Sequence, residues 1–259
     1  ASEKMFMEIC RNVLGKDIYE NEHHTTCGGI AYHCDTIPQE TAMTIVARQF
    51  ALMTEAGYEN YVASCITSFG NYTEILETWN EFPELETRIR ELLWKACRKE
   101  FKKPKHLAHS SDLIFKFRNE IAEKAKFRLV NKETGELLKV VEHIGCHYSK
   151  MFPSKGVVGA EYPYVLTGMV ESWGGNIIDY PERRHCCGYG FRQYHVKANR
   201  GYSLSNTHKK FESMAPYKPD MIITNCPGCP YFLDRWQYVI AEMEGKTYGQ
   251  DGFGIPVFT

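Results

Sequence analysis

Apolar and polar positions follow two different periods along this chain, and segments of the two kinds alternate. Residues 41–56 repeat their apolar positions every three or four residues, which is typical of an amphipathic helix, and Gly57 ends the pattern. Short runs rich in β-branched residues, such as 137–143 and 221–224, instead predict buried strands. Strands that alternate with helices favour parallel sheets with helical crossovers, so the pattern predicts an α/β fold.

The remaining elements follow from the same two periods. Further helices are predicted over 3–14, from about 72 onwards, within 80–105, and over 110–127, 161–173, 206–215 and 230–243. Further strands are predicted over 16–19, 61–65, 177–180 and 255–258. The segment 131–136 (NKETGE) is the clearest turn signal in the chain, and it divides the sequence into predicted domains 1–130 and 131–259.

Five of the ten cysteines lie in loops that follow predicted strands of the second half. They are Cys146, Cys186, Cys187, Cys226 and Cys229. Open α/β sheets form their sites at the carboxyl ends of the strands, so these thiols are expected to meet there. Soft thiolates gathered by several loops suit iron–sulfur clusters or zinc. Zinc rarely needs five thiolates, so the number favours iron and sulfide.

The cysteine pattern, with its Cys186-Cys187-Gly188 triplet and its Cys226-Pro-Gly-Cys229 ending, resembles the cysteine-rich CCG domain. That domain occurs in the B subunit of heterodisulfide reductase and its relatives. The resemblance implies two Rossmann-like CCG domains with short parallel sheets flanked by helices, and five cysteines that hold a non-cubane [4Fe-4S] cluster. Adjacent cysteines are consistent with an opened cluster, because their side chains diverge and reach different irons.

The first half repeats the second in eroded form. Thr26-Cys27-Gly28 matches the CCG triplet, and Cys27 lies 38 positions before Cys65, whereas 39 positions separate Cys187 from Cys226. The counterparts of Cys186 and Cys229 are Thr26 and Ser68. The counterpart of Cys146 would precede Ala1, so either further residues precede Ala1 or the first half is a degenerate CCG domain that has lost its first strand and this ligand. Two thiolates are too few for the cluster of the family.

The two remaining cysteines of the first half have histidine and cysteine neighbours in sequence. Cys27 and Cys65, together with His24 and Cys34, make a possible second metal site that would hold zinc. The alternative is a site that has lost its metal, with buried cysteines and histidines that bond to the backbone.

Three histidines flank the cysteines of the second half. His147 and His185 are the predicted catalytic groups, because either could deliver a proton to a substrate thiolate, and His143 is a further candidate to bond cluster sulfurs. An ordinary core or surface histidine is the competing interpretation for each. Arg183 and Arg184, beside the CCG triplet, could balance cluster charge or simply belong to a solvated loop.

Charge and composition exclude several classes of function. The 31 basic and 32 acidic side chains give no electrostatic attraction for nucleic acid. No apolar run approaches the roughly 20 residues of a membrane span, and the first residues lack the layout of a signal peptide. Ten cysteines without a signal favour reduced thiols over a disulfide scaffold, so a cytoplasmic protein, free or peripheral to a membrane, is expected.

The resemblance implies an iron–sulfur subunit of a heterodisulfide-reductase-like complex, an oxidoreductase that breaks or forms sulfur–sulfur bonds. Its implied partners are iron–sulfur and flavin subunits and a paired B-type subunit. The degenerate first half is similar to B subunits of sulfur-oxidising systems, for which the substrate would be a lipoyl-bound sulfur compound. The alternatives are an electron-transfer or anchor subunit of a succinate-dehydrogenase type of complex, and a structural zinc protein, which would be colourless.

Overall fold

The computed structural model describes residues 2–151, 163–190, 200–250 and 252–259. Its α-helices are Ser2–Glu8 (α1), Gly29–His33 (α2), Gln39–Glu55 (α3), Ile66–Glu81 (α4), Pro83–Cys97 (α5), Ser110–Lys116 (α6), Arg118–Lys124 (α7), Val165–Ser172 (α8), Arg200–Met214 (α9) and Gly228–Met243 (α10). Its strands are Asn60–Ala63 (β1), His106–His109 (β2), Lys139–His143 (β3), Asn176–Ile177 (β4), Met221–Thr224 (β5) and Val257–Phe258 (β6). Short π-helical turns cover Ile9–Val13 and His147–Met151, and a 3-10 turn covers Ala215–Tyr217.

The second half is built on a four-stranded parallel sheet in the order β4-β3-β5-β6. Central strand β3 is nearly all buried, although only Val140 and Val141 of its five residues are apolar, and it pairs with β5 from Val140–Met221 to His143–Thr224. The chain adds β4 on one side of β3 and then β5 on the other. The strand order therefore reverses between β3 and β5, and ligands of such sheets bind at the carboxyl ends of the strands at this point.

The described part of the first half holds a two-stranded parallel sheet, in which Asn60 to Ala63 of β1 pair with His106 to His109 of β2. Helices α3, α4 and α5 pack beside it, and Phe50 and Trp79 are fully buried between them. Their rings meet edge to face with centroids 6.4 Å apart. Large aromatic side chains therefore stabilise this half through apolar burial.

One hydrophobic core runs through both halves of the chain. It continues from Val46 and Trp79 of the first half to Val141, Ile222 and Leu233 of the second. The predicted boundary turn at 131–136 is a surface turn closed by an antiparallel bridge between residues 130 and 137. The division into two domains therefore remains a prediction, because the halves share apolar contacts.

The α/β class with short parallel sheets is confirmed, and the strand predicted over 221–224 matches β5. The strand predicted over 16–19 is wrong: these residues are irregular, and the carbonyl of Ile18 accepts a hydrogen bond from the Arg11 guanidinium (2.9 Å) in place of strand pairing. Helix α4 begins earlier than predicted, at Ile66, soon after the end of β1. Gly70, which was expected to precede this helix, lies buried inside it. The predicted helix at 161–173 begins outside the described residues, and its described part is α8.

The pattern missed β2, which is only four residues long and carries a histidine at each end. His109 is nonetheless buried, and its imidazole accepts a hydrogen bond from the backbone N–H of Ser111 at the start of α6. Burial lowers the pKa of His109 to about 3, so this histidine is neutral. Strand pairing and capping thus stabilise a segment whose polar sequence resembles a loop.

Candidate metal centre

The topological switch point places two of the five second-half cysteines side by side. Cys146 follows β3 and Cys226 follows β5, and the loops after these strands are joined by a hydrogen bond from the Gly145 N–H to the Asn225 side-chain oxygen (2.9 Å). A side chain at Gly145 would lie 2.1 Å from Ile66 and 3.0 Å from Cys226. Glycine is therefore required for the two loops to approach this closely.

The five thiols form one continuous set. The Cys186 side chain hydrogen-bonds with those of Cys146 and Cys187, and the Cys229 side chain hydrogen-bonds with those of Cys187 and Cys226. The Sγ atoms of Cys187 and Cys229 are 3.3 Å apart. Cys187, Cys226 and Cys229 are buried, whereas Cys146 and Cys186 are partly exposed. The sequence-predicted ligands are thus brought together, with one side of the set open.

The CCG triplet is held in shape by helix α9. Gly188 has φ of 94°, and a Cβ there would lie 2.4 Å from the Ser203 carbonyl oxygen, so only glycine fits. Its N–H donates to the Cys186 sulfur (3.3 Å) and its carbonyl accepts from the Ser203 hydroxyl (2.8 Å). The Thr207 hydroxyl donates to the Cys187 carbonyl (2.7 Å). These bonds fix the backbone that carries the adjacent pair of cysteines.

The CPGC segment ends in a helix that begins at Gly228. Cys229 therefore lies in the first turn of α10, where backbone N–H groups are free to donate to a sulfur. A hydrogen bond from Cys229 lowers the pKa of Cys226, and backbone N–H groups of Gly228 and Cys229 add to this effect. The helix start thus prepares Cys226 to act as an anionic ligand.

Among the other thiols, one hydrogen-bond network lowers the pKa of the acceptor and raises the pKa of the donors. Hydrogen bonds from Cys146 and Cys187 lower the pKa of Cys186, while hydrogen bonding to Cys186 raises the pKa of both donors. Hydrogen bonding to Cys187 raises the pKa of Cys229. Metal binding releases such protons, because thiolate is the form that ligates.

The donor set fits a thiolate-bound metal group. The described residues contain ten cysteines, all free, which excludes a disulfide scaffold among them. The five clustered thiols are soft ligands suited to iron–sulfur clusters or zinc, and the glycines at 145 and 188 allow the backbone to approach closely. The residues that would hold the group are Cys146, Cys186, Cys187, Cys226 and Cys229.

His143 is the histidine that lies nearest this set. One of its ring nitrogens and the sulfurs of Cys187 and Cys229 all lie within 4.8 Å of one another, and all three residues are buried. In the described part of the chain this is the one group of three potential ligands at such distances. This position would allow His143 to hydrogen-bond to cluster sulfurs or to ligate a metal itself.

The two predicted catalytic histidines occupy different positions. His147 is half-buried and bonds through Nδ1 to the Thr67 hydroxyl (3.0 Å), and burial lowers its pKa to about 4. The Cys186 side chain acts on it electrostatically, so it faces the thiol set. His185 instead bonds to Asn206 and to the Glu182 carboxylate (3.2 Å). Their catalytic role stays a prediction in both cases.

The first half retains the backbone of the CCG triplet without its leading thiol. Gly28 has φ of 71°, and its N–H donates to the Thr26 hydroxyl (3.2 Å), just as the Gly188 N–H donates to Cys186. The Cys27 carbonyl accepts from the Asn71 amide (2.9 Å), as the Cys187 carbonyl does from Thr207. An oxygen therefore stands where the second half has sulfur.

The predicted second metal site is not gathered in this structure. Cys27, Cys65, His24 and Cys34 do not make a group of three ligands within 4.8 Å anywhere in the described ranges. His24 bonds to the Tyr61 hydroxyl (2.6 Å). Cys65 is close enough to both Cys27 and Cys226 for their charges to act on its pKa, which burial raises. Zinc binding here stays a prediction. Through Cys65, the cysteines of the first half lie next to the five-thiol set of the second half.

Lys210, which the sequence pattern does not single out, is completely buried, and the charges of Cys187, Cys229 and Cys186 act on it. Its ammonium donates to the carbonyl of Glu182 (2.5 Å), the hydroxyl of Tyr180 (3.0 Å) and the carbonyl of Arg183 (3.1 Å). Ser203 and Thr207 lie on the same face of α9, so polar residues at positions 203, 207 and 210 are the helical signal that could have indicated it.

Arg183 is an ion-pair partner and not a solvated loop residue. Its guanidinium donates to the fully buried Glu142 carboxylate (2.8 Å from Nε) and to the Thr167 hydroxyl (3.0 Å). Burial raises the pKa of Glu142, and the pair with Glu142 raises the pKa of Arg183 despite its own burial. The pair joins β3 to the loop before the CCG triplet.

These features define an α/β protein with a cysteine-lined site at the switch point of a parallel sheet. Residues 140–234 match the family described as the cysteine-rich CCG domain, which confirms the resemblance seen in the sequence. The chain is 26% identical over 253 residues to the B subunit of ferredoxin:CoB-CoM heterodisulfide reductase from Methanosarcina acetivorans, a match that covers 95% of this chain and 78% of the relative. The protein of the same description from Methanosarcina mazei is 25% identical, with 80% of this chain and 66% of the relative covered.

A structural likeness supports the fold alone. A hypothetical protein from Helicobacter pylori superposes with a TM-score of 0.66 over 99% of this chain, at 14% identity, and this chain spans 43% of its length. Within the described residues, the structure has no helix of the length and apolarity that a membrane crossing requires.

Proposed function

We propose that this chain is an iron–sulfur subunit of a heterodisulfide-reductase-like complex, which takes part in the redox cleavage or formation of sulfur–sulfur bonds. The observation that carries the proposal is the contact-linked set of five thiols at the switch point between β3 and β5. Similarity along most of the chain to B subunits of heterodisulfide reductases, which are parts of an oxidoreductase, supports it.

The five cysteines would hold a [4Fe-4S] cluster, and the adjacent pair Cys186-Cys187 favours the non-cubane form. When bound, this group supplies electrons to sulfur or withdraws them from it. The protein provides an open side to the site through the partly exposed Cys146 and Cys186. His147, next to Cys146 in sequence, would take up or deliver a proton for a substrate thiolate.

The proposal extends to the substrate and to the partner subunits. Electrons would pass through iron–sulfur and flavin partner subunits, and a disulfide or a lipoyl-bound sulfur compound, as in sulfur oxidation, would be the substrate. The first half offers Thr26 and Ser68 in place of two ligands, so a second complete thiol set would have to come from a paired B-type subunit. The family that this chain resembles uses two such clusters side by side, and a paired subunit would supply the second one.

Metal and sulfide analysis of the full chain, purified without oxygen, tests the proposal. About four irons and four sulfides per chain are expected for one [4Fe-4S] cluster, with a brown colour and an EPR signal in one redox state. About eight irons would place a second cluster in the first half. A protein that contains zinc and no iron would overturn the proposal.

A structural zinc site is the second candidate, because His143, Cys187 and Cys229 gather three ligand atoms within 4.8 Å. Three nitrogen and sulfur ligands with a fourth thiolate would satisfy tetrahedral zinc. The two candidates differ in which cysteines matter. Replacing Cys146 or Cys186 should spare a zinc site built on His143 but remove iron from a five-thiolate cluster.

A further inference from the structure

Lys210 is a buried cation whose hydrogen bonds all go to neutral oxygens. Its Nζ contacts the carbonyls of Glu182 and Arg183 and the hydroxyl of Tyr180, and its side chain has no exposed area. Removing an ammonium from water costs several kcal/mol unless an opposite charge is close. Three neutral acceptors satisfy its protons but not its charge, so the position requires an anion.

The cysteine set is the anion that the structure offers. The groups whose charges act on Lys210 are, in decreasing order, Cys187, Cys229, Cys186 and Glu182. The Glu182 carboxylate is partly exposed and pairs with His185 (3.2 Å), so solvent screens it. Burial lowers the pKa of Lys210 to about 7, and the charges of the thiols act in the opposite direction. Three cysteines that carry negative charge as cluster ligands would therefore favour the protonated, positively charged form of Lys210.

Lys210 also ties the loop that carries two of the ligands. The carbonyls it binds belong to residues 182 and 183, three to four positions before Cys186, and its third acceptor, Tyr180, donates in turn to the Glu142 carbonyl of β3 (3.0 Å). One side chain on α9 thus connects the start of the CCG loop to the central strand. Its charge and its bonds both act on the geometry of the ligand pair.

We propose that Lys210 is the buried countercharge of the cysteine-bound cluster and the positioning residue for the loop that carries Cys186 and Cys187. The inference rests on the proposed function, since it assumes that the five cysteines hold an iron–sulfur cluster. A fixed positive charge stabilises the reduced, more negative form of a cluster more than the oxidised form, and net charge near a cluster sets its reduction potential. Lys210 should therefore raise the midpoint potential.

The test measures the midpoint potential by an EPR-monitored redox titration of the full chain at matched iron content. Lys210→Met removes the charge and the donors, Lys210→Gln removes the charge but keeps two N–H donors, and Lys210→Arg keeps the charge. The matched control is Lys209→Met, because Lys209 is the neighbouring lysine on α9 and is exposed. We expect more negative potentials in Lys210→Met and Lys210→Gln, and an unchanged potential in Lys209→Met.

Cluster loss is also informative. If Lys210→Met and Lys210→Gln assemble no cluster while Lys210→Arg does, the charge requirement is supported. An unchanged potential in a fully loaded Lys210→Met or Lys210→Gln protein would overturn the proposal. Equal loss of iron in all three Lys210 variants would also overturn it, since only the shape of lysine would then matter. Absence of iron from the unsubstituted protein would instead contradict the proposed function itself.

Discussion

At the scale of single residues, the two halves differ in the acceptor atom of one side chain at equivalent backbone positions. Gly28 and Gly188 adopt left-handed conformations, and each donates its N–H to the side chain two residues earlier. That side chain is the hydroxyl of Thr26 in the first half and the thiol of Cys186 in the second. A neutral hydroxyl is a poor ligand for soft metals, so the first half has the same local fold with a weaker donor at this position.

Replacing single cysteines should distinguish those that bind the cluster from those that do not. Cys187→Ser or Cys226→Ser should remove most of the iron, because each takes a thiolate from the contact-linked set. Cys97→Ser should retain it, since Cys97 lies on α5 and bonds to its own helix through the Leu93 carbonyl. Iron analysis after anaerobic reconstitution checks this. Full iron content in Cys187→Ser would contradict the ligand assignment, and Cys27→Ser should leave iron unchanged.

The CCG loop depends on glycine at its third position. Gly188→Ala should destabilise the fold by about 2 kcal/mol or more, because φ is positive there and the added methyl would meet the Ser203 carbonyl at 2.4 Å. Gly201→Ala is the control, since a methyl group there has no neighbour within 4 Å and the position is helical. Urea unfolding of the metal-free proteins measures both. Equal stability of the two variants would show that the loop adapts to a side chain.

At the scale of elements, helix α9 and strand β3 together hold the loop of residues 180–187. Lys210 and Thr207 bind its carbonyls from the helix, and Glu142 binds Arg183 from the strand. The three groups that reach the loop, at positions 142, 207 and 210, are polar and fully buried. Hydrogen bonds and a charge pair therefore position the loop together with the apolar packing of Tyr180 and Cys187.

Removing only Arg183 from its ion pair with Glu142 should destabilise the protein more than removing both charges. Arg183→Met should destabilise the metal-free protein by about 3 kcal/mol, because it leaves the Glu142 carboxylate buried without its cation. Adding Glu142→Gln should recover part of this loss, since the uncompensated charge is then gone. Chemical unfolding of both single variants and of the double variant gives the coupling energy. Additive losses would mean that the pair does not couple.

At the scale of the whole molecule, the two halves meet around the site. The Tyr148 hydroxyl donates to the Asp112 carboxylate, His147 bonds to Thr67, and Ile66 packs against Gly145. The apolar core is continuous across this contact. Residues of the first half therefore form one wall of the five-thiol site.

The shared core predicts a single cooperative unfolding transition for the metal-free chain. Scanning calorimetry under reducing conditions should give one peak with equal calorimetric and van't Hoff enthalpies, because neither half can lose its core contacts alone. Two separated transitions would instead favour independently stable domains with the boundary near 131–136.

The sequence by itself predicted strands β3 and β5 and the clustered thiols of the second half. Strand β5 has three consecutive apolar residues, and β3 has the apolar pair Val140-Val141 at its centre, so both were recognised as short buried runs. The five cysteines were predicted because each follows a strand, and the parallel sheet order makes such positions converge. The spacing repeat likewise indicated the remnant triplet at Thr26-Cys27-Gly28, which the matching backbone hydrogen bonds support.

Only the tertiary structure decided which polar side chains serve the site. Lys210 looks like a surface lysine beside Lys209, and Arg183 looks like a loop arginine, because burial and partner choice depend on segments far away in sequence. Strand β2 was missed and a strand at 16–19 was wrongly predicted for the same reason: short strands exist only where a neighbouring strand offers hydrogen bonds. Local pattern sets what a segment can form, and long-range pairing selects what it does form.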